Sequence, residues 1–461
     1  MPSFSGSFKY LRADGGCQQS GGCRLAFETE SLTLTPGAGT PLVIDLGDID
    51  VFLPGDYELT LSLYTGATIV LSQFGKTFQN LRQQLLEAFR KRLLQCLLLE
   101  DLEEISRFDG AARLDAPGRS FSSPAEFRLY KSNLAVLPTE STGFQWRLAD
   151  IDAVGFDEST WTVTAASGGE HLMVSKLAKR TEEFRERLAA AKAGVDQQAA
   201  ETTHHLFPFL DPDQLQQATA LLQEGRAASL SQLRAIDAMT EQALCANVVD
   251  SKLEPYFDAL LEHVPAHNYY AGFKLLRQDE DQSAEEEKET SEEPGPTPEE
   301  TAPGAGEEAS DADAAGGTGG EEEAAPILHW FFLPLAAQPA ATLVGNLVAW
   351  EATSRSGRAT YFFRLVPPAE AARLRDPAQA PALIDAAIRQ LNRAIVLLNF
   401  RREPIYLPDA SLRIQPRFRR YAIACRKLPE LIRLRSSFLG RAIHTTPEAW
   451  RKQFESYLAQ A

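Results

Sequence analysis

The sequence predicts an α+β protein with two tandem small antiparallel β-barrels, each closed by a C-terminal helix. A helical segment, a disordered acidic linker and a C-terminal α+β domain follow. Three observations support this prediction. A five-residue motif occurs twice, the hydrophobic period within each copy changes from that of strands to that of a helix, and charge is unevenly distributed along the 461 residues.

The motif Leu46-Gly47-Asp48-Ile49-Asp50 recurs as Leu148-Ala149-Asp150-Ile151-Asp152, 102 positions further on. The correspondence extends well beyond the motif. With one residue inserted, later positions of the first copy recur 103 positions on, among them Gly66, Ser72 and Lys76 as Gly169, Ser175 and Lys179. A constant offset over some sixty residues indicates a duplicated domain.

The first copy is predicted over residues 24–107. Apolar residues alternate with polar ones from Leu25 to Leu34 and again from Tyr57 to Leu63, as in half-buried strands. The period then becomes helical, with one apolar face formed by Phe78, Leu81, Leu85, Phe89 and Leu93. We expect this helix to continue to Ile105.

The second copy is predicted over residues 120–194 and repeats the same plan, with Phe184 and Leu188 on its closing helix. Short antiparallel strands followed by one amphipathic helix resemble the pleckstrin homology-like superfamily. The resemblance covers residues 24–192 and implies a small bent barrel that binds phosphoinositides or docks peptides and proteins. The loop matched to the phosphoinositide loop is acidic in the first copy, Glu28 to Ser31, which argues against phosphoinositide binding.

Each Asp-Ile-Asp can be interpreted in two ways. Ile49 and Ile151 could point into the core while the aspartates face solvent or cap a turn. Alternatively, Asp48 and Asp50 could form a carboxylate pair for acid–base chemistry or calcium binding. No further carboxylate or basic partner stands nearby in the sequence. The structural interpretation is therefore favoured.

Three regions follow the repeats. Residues 204–278 have helical spacing throughout and predict a helical bundle. Residues 279–325 predict a disordered acidic linker, because 279–323 contain 18 Asp and Glu against one Lys and no large apolar residue. Residues 326–461 predict strands followed by basic helices, in which Glu351 and Arg358 could pair across a turn.

Residues 324–461 contain 20 Lys and Arg against 9 Asp and Glu. Arginines interleaved with aromatic residues suit a polyanion, since guanidinium groups contact phosphates and rings stack on bases. The candidate polyanion-binding residues are Arg413, Arg417, Arg419, Arg420, Arg426 and Lys427. The alternative is that these side chains form a solvated face or pair with carboxylates of the N-terminal domains.

The sequence contains no phosphate-loop, dinucleotide, zincin or nucleophile-elbow motif in a fitting context, and its five cysteines lack zinc-site spacing. It therefore predicts no catalytic residues, metal or cofactor, and no membrane span. We expect a cytoplasmic, non-catalytic protein–protein interaction or scaffold protein. The alternative is a nucleic-acid-associated protein that binds through the C-terminal arginines and is restrained by the acidic linker. The third hypothesis is an enzyme with a site between domains.

Overall fold

The computed structural model describes residues 3–116, 119–223, 225–246, 253–275, 327–339, 341–353 and 359–460. Its first sheet has seven antiparallel strands, β1 to β7: Ser3–Leu11, Cys17–Phe27, Ser31–Pro36, Leu42–Asp45, Ile49–Pro54, Glu58–Leu63 and Thr68–Ser72. The strand order is β4-β3-β2-β1-β7-β6-β5, so the sheet curls until β1 pairs with β7. We call it the first half-barrel.

The second half-barrel has the same order, β11-β10-β9-β8-β14-β13-β12. Its strands, β8 to β14, are Glu104–Ala116, Arg119–Tyr130, Asn133–Pro138, Phe144–Arg147, Ala153–Asp157, Thr162–Ser167 and Glu170–Ser175. Both sheets begin earlier than the repeats predicted from the sequence. As a result, the acidic loop matched to the phosphoinositide loop connects β2 to β3 and is not the turn of the first hairpin.

The duplication extends to the backbone conformation. Three positions with positive φ recur 103 residues apart: Gly66 and Gly169 (80° and 88°), Gln73 and Lys176 (62° and 59°), and Gly75 and Ala178 (55° and 52°). Positive φ is uncommon for residues other than glycine, so Gln73 and Lys176 are informative. The two half-barrels therefore share turn geometry as well as strand order.

One helix follows each half-barrel. Helix α1 spans Phe78–Cys96 and buries the predicted face, from Phe78 to Leu93, inside the first half-barrel. It ends at Cys96 and does not reach Ile105, because the chain turns at Leu98 (φ 58°) and starts β8 at Glu104. Helix α2 spans Thr181–Leu206, which is longer than predicted, and buries Phe184 and Leu188 against the second half-barrel.

Short helices come next: α3 Pro212–Leu221, α4 Leu230–Ile236, α5 Met239–Ala246 and α6 Glu254–Leu261. Two other described parts of the predicted helical segment form strands instead. The short strand β15 (Ala228–Ser229) and strand β16 (Tyr270–Leu275) belong to a third sheet, where β16 pairs with β17 (Ile327–Leu335). Tyr270, Ala271 and Phe273 are buried in that sheet, and the helical spacing of the preceding residues does not extend to them.

The third sheet is completed by β18 (Leu347–Ala352), β19 (Ala359–Phe363) and β20 (Phe438–Ile443). The C-terminal helices are α7 Ala380–Leu397, α8 Glu403–Tyr406, α9 Asp409–Ile414, α10 Arg419–Lys427, α11 Pro429–Ser437 and α12 Pro447–Leu458. The predicted C-terminal α+β part is thus present, as is the predicted fold class. The acidic linker, 279–325, lies outside the described residues.

The third sheet separates two hydrophobic cores. Trp330, Trp350 and Tyr361 face α7, α10 and α11, and this core continues without a break into the first half-barrel. On the other face, Phe331 and Phe362 pack with α4, α6 and α12. The second half-barrel encloses a separate core around Phe127 and Phe184. The alternation of buried residues to opposite faces follows the period of a strand.

Candidate functional site at the two Asp-Ile-Asp motifs

The predicted polyanion residues lie on α9, on the turn after it and on α10, which packs against the first half-barrel. The last two are bound to the first motif. Arg426 Nη2 donates to Asp48 Oδ1 at 2.7 Å. Lys427 Nζ donates to the Ile49 carbonyl at 2.6 Å and to Asp50 Oδ1 at 3.2 Å. Only 3% of the Lys427 side chain is exposed, so this ammonium is a buried part of the interface.

Three of the other predicted residues form more exposed contacts with the first half-barrel and the segment after α1. Arg419 Nη1 lies 3.2 Å from Glu30 Oε2, and Arg420 Nη1 lies 2.6 Å from Glu100 Oε1. Arg413 Nη2 donates to the Tyr64 hydroxyl at 3.2 Å. These side chains are partly exposed, and exposed pairs contribute about 0–1 kcal/mol each. Pairing with N-terminal carboxylates, which was the alternative interpretation of these arginines, therefore applies to several of them.

A cleft of about 310 Å³ separates α9 and α10 from α1, and we call it the arginine cleft. Five arginines and two glutamates are among its lining residues: Arg92, Arg413, Arg417, Arg419, Arg420, Glu30 and Glu100. The Arg92 guanidinium is buried and fixed by Asp45, with N–O distances of 3.1 and 3.0 Å. The excess of guanidinium groups leaves the cleft positively charged.

The first motif is shaped by its backbone. The Asp45 carboxylate accepts a hydrogen bond from Gly47 N at 2.8 Å and thereby caps a short 3-10 turn, Leu46–Asp48. Ile49 is fully buried, as predicted. Asp48 and Asp50 then project towards α10. Their basic partners are 378 and 377 residues away, which explains why the neighbouring sequence contained no partner.

The second motif faces other arginines. Ile151 is again buried, and Asp152 Oδ2 accepts a hydrogen bond from Gly168 N at 2.8 Å. Arg226 Nη2, from the segment between α3 and α4, donates to Asp152 Oδ1 at 3.2 Å. Asp150 is buried, and its Oδ2 lies 3.5 Å from Nε of Arg393 on α7. Neither Arg226 nor Arg393 was predicted from the sequence. The duplication was the available signal, since two copies of an acidic motif require two sets of basic partners.

A buried polar cluster connects β18, β19 and the segment after β20. Glu351 Oε1 and Thr360 Oγ1 both approach His444 Nε2, at 3.2 and 3.1 Å, and Thr360 also donates to Glu351. Trp450 Nε1 donates to Thr360 at 2.8 Å. A nucleophile–base–acid relay uses both ring nitrogens of the histidine. Here the oxygens of Glu351 and Thr360 both approach the same nitrogen of His444, and the cluster is buried. We therefore interpret it as a structural contact between the strands and α12. Arg358, the predicted partner of Glu351, lies outside the described residues.

Each half-barrel exposes one aromatic side chain at the same turn. Tyr57 directly precedes β6 and Trp161 directly precedes β13, with 72% and 59% of their surface exposed. Both have left-handed backbone, with φ of 58° and 51°. Large side chains are genuine outliers in this region. The turn therefore keeps an exposed aromatic residue in both copies despite an unfavourable backbone conformation.

Within the ranges that the structure describes, no cluster of three or more His, Cys, Asp or Glu residues is arranged to hold a metal ion. No helix in the same ranges combines the length and apolarity needed to cross a membrane. No protein-family model matches the chain, and a search of curated proteins finds no relative. The features that bear on function are therefore the two motifs, the arginine cleft and the exposed aromatic residues.

Proposed function

We propose that this chain is a non-catalytic interaction protein of the cytoplasm that docks a protein partner through its two half-barrels. The observation that supports this most directly is the matched pair of exposed aromatic residues, Tyr57 and Trp161. Tyrosine and tryptophan are enriched among the residues that dominate binding energy at protein interfaces. Each ring contacts one aromatic side chain of its own half-barrel, Phe78 at 6.0 Å and Phe156 at 6.1 Å between ring centroids, but most of its surface stays open to a partner.

We further propose that the half-barrels are pleckstrin homology-like domains. The strand order, in which the first strand pairs with the seventh, and the helix that follows the last strand support this assignment. Such a domain presents its turns and sheet edges on a rigid body. Two copies on one chain would offer two similar docking surfaces, and a partner that engages both would gain affinity from the fixed spacing.

The docking proposal can be tested by replacing Tyr57 and Trp161 together with asparagine, a residue that tolerates left-handed backbone. The free energy of unfolding should change by no more than about 1 kcal/mol, because relieved strain offsets the lost ring contacts. Proteins captured by the immobilised chain from nuclease-treated lysate, at two salt concentrations, would be quantified by mass spectrometry. A discrete partner should be retained by the wild type and lost from the double variant.

The matched control replaces Ile432 and Ile443, which are 47% and 48% exposed in the C-terminal part, with asparagine. It removes a similar number of exposed apolar side chains without touching either aromatic turn. Capture should be unchanged in this control. If the aromatic variant retains every protein that the wild type retains, these turns are not the docking surface.

The second candidate function is polyanion binding, and the arginine cleft favours it. Arg426 and Lys427 are bound to the first Asp-Ile-Asp, so the candidate surface narrows to Arg413, Arg417, Arg419 and Arg420. Fluorescence anisotropy with a short single-stranded oligonucleotide should give salt-sensitive binding. Binding should strengthen when residues 279–325 are deleted, because that segment carries competing negative charge.

Replacing Arg413 and Arg417 with methionine should weaken oligonucleotide binding by about tenfold or more at low salt. The control carries the same charge change at Arg451 and Lys452, which are exposed on α12. Equal loss in the two variants would mean that net charge alone attracts the oligonucleotide. No binding by the wild type at low salt would eliminate this function.

A further inference from the structure

A polar cavity of about 110 Å³ lies beside the second Asp-Ile-Asp, between the second half-barrel, α4 and α7. We call it the Asp150 cavity. Its charged lining consists of three arginines and two aspartates: Arg226, Arg389, Arg393, Asp150 and Asp385. A single water needs about 10–15 Å³ of such space, so there is room for a small ligand. Neither proposed function uses this cavity.

Two arginines that line the Asp150 cavity each have a buried N–H group without a hydrogen-bond partner. Arg226 and Arg393 each use Nη2 to hold the second half-barrel, at Asp152 Oδ1 (3.2 Å) and Ser167 Oγ (2.8 Å). In both, Nε is buried and has no hydrogen-bond partner among the described residues. A buried donor without a partner costs about 1–3 kcal/mol. An acceptor bound beside these groups, whether a water or an anion, would remove that cost.

Asp150 does not fill that role. Its carboxylate oxygens lie 4.0 Å from Arg226 Nε and 3.5 Å from Arg393 Nε. Hydrogen bonds from N–H to oxygen require about 2.7–3.2 Å. The attraction is therefore one of charge alone, and an acceptor could reach these N–H groups only from the side of the pair that faces the cavity. Only 8% of the Asp150 side chain is exposed, and Nη1 of a further guanidinium, Arg147, stands 3.9 Å from its Oδ2.

The opposite wall is fixed in place. The Tyr270 hydroxyl donates to Asp385, and burial together with that carboxylate raises the pKa of Tyr270, which keeps the phenol protonated. Asn392 accepts from Trp330 Nε1 at 2.8 Å and donates to the Gly225 carbonyl. Arg389 is exposed, so solvent reaches the cavity on its side. The site is therefore rigid where it is buried and open where a ligand would enter.

One glycine supports this arrangement. Gly168 has φ of 58°, and a Cβ there would lie 3.2 Å from Arg393 Nη1. Such a contact would push the guanidinium away from Ser167. The turn after β13 thus leaves space for this arginine in a conformation that suits glycine.

We propose that the Asp150 cavity binds a hydrogen phosphate group, either free inorganic phosphate or the phosphate of a small monoester. Its unprotonated oxygens accept from Arg226 Nε, Arg393 Nε and the Arg389 guanidinium, and its P–OH donates to the Asp150 carboxylate. Among the lining residues guanidinium groups outnumber carboxylates by three to two, although Asp152 also takes up part of the Arg226 charge. Arginine suits this ligand, because its planar donors match phosphate oxygens.

The carboxylates also predict selectivity. Sulfate is fully ionised at neutral pH and has no proton to donate to Asp150, whereas hydrogen phosphate has one. Calorimetric titration of the full chain at constant ionic strength should therefore give tighter binding of inorganic phosphate than of sulfate, by about tenfold or more. A third arm with methyl phosphate distinguishes the sources. If methyl phosphate binds as tightly as inorganic phosphate, the cavity is a monoester site. If only inorganic phosphate binds, the cavity is a site for the free ion.

The test variant is Arg389→Met, because this exposed side chain lines the cavity and its loss should leave the fold intact. Phosphate affinity should fall by about tenfold. Arg375→Met is the matched control, since Arg375 is exposed and lines neither the arginine cleft nor the Asp150 cavity. Two results would overturn the proposal. One is a heat of phosphate titration no larger than that of a chloride titration. The other is equal phosphate affinity in the wild type and in Arg389→Met. A crystal grown in phosphate with only water in the cavity would do the same.

Discussion

At the first Asp-Ile-Asp, charged groups meet at 2.7 and 3.2 Å and sit beside a hydrophobic core that runs from the half-barrel into the third sheet. At the second motif, Asp150 stands 3.5–4.0 Å from its arginines around a cavity, and the half-barrel keeps a separate core. One repeat is thus fused to the C-terminal helices, whereas the other is attached through polar groups. A duplicated motif has been retained while its partners and its packing diverged.

The residue between leucine and aspartate in each motif reflects this difference. In the first copy it is Gly47, where a Cβ would lie 2.7 Å from Ile423 Cδ1 on α10 and 3.0 Å from Cys96 Sγ. In the second copy it is Ala149, which is buried without such a neighbour in its way. Close approach of α10 requires the glycine. The second half-barrel accommodates the methyl group of Ala149 at the same position of the motif.

The largest expected difference between the interfaces is in charge coupling. A double-mutant cycle with Asp50→Ala and Lys427→Met should give a coupling free energy of about 2 kcal/mol, because removing Asp50 leaves a buried ammonium with only a carbonyl. The matched cycle with Asp152→Ala and Arg226→Met should give about 0.5 kcal/mol, since 44% of Asp152 is exposed. Urea unfolding measures both. Equal coupling in the two cycles would contradict the contrast.

A smaller difference between the two interfaces is expected from exchanging the small residues of the motifs. Gly47→Ala should lower the free energy of unfolding by about 2 kcal/mol through overpacking against Ile423. Ala149→Gly should cost about 1 kcal/mol, for the lost methyl group and the added chain entropy.

The cause can be checked with Ile423→Val, which removes Cδ1. Combined with Gly47→Ala, it should recover part of the lost stability, although it costs about 1 kcal/mol by itself. If the double variant is as unstable as the sum of the two changes, the close approach of α10 is not the reason for the glycine.

The smallest expected effect is a pH dependence confined to the second interface. Burial raises the pKa of Asp152, but the Gly168 N–H bond and the charges of Arg226 and Arg389 outweigh it, so that the pKa lies below its ordinary value of 3.8. Stability from this carboxylate is complete above about pH 4 and is lost as pH falls through the lowered pKa. Wild type and Asp152→Asn should therefore differ by under about 1 kcal/mol at pH 6, and the difference should shrink below pH 4. If the stability difference between wild type and Asp152→Asn stays constant between pH 6 and pH 3, ionisation of Asp152 is not its cause.

Local patterns made the half-barrels predictable. Alternation in β6 and the apolar face of α1 are properties of consecutive residues, and the duplication supplied independent support for both. The strands before residue 24 were missed because β2 begins in a glycine-rich, exposed stretch with little alternation. Strand β16 was missed because its pairing partner, β17, is far away in the sequence.

The site was predictable only in part. The arginines of α9 and α10 stood out by composition, but their partners Asp48 and Asp50 are more than 370 residues away and could not be assigned from neighbours. Arg226 and Arg393 carried no signal of composition. Their position depends on how α7 and the segment before α4 pack on the second half-barrel, which is a property of tertiary structure alone.

The pairing of β16 with β17 affects what happens when a protease cleaves the chain between these two strands. Leu275 and Ile327 are opposite each other in an antiparallel ladder, so their Cα atoms are about 5 Å apart. The acidic stretch between them therefore leaves and re-enters the sheet at the same end of this strand pair, as a long hairpin insertion would. A protease that cleaves within 279–325 would therefore release two polypeptides on a denaturing gel, while the native particle would elute undivided from a sizing column. The same closeness makes this stretch a suitable place for new termini in a circularly permuted chain.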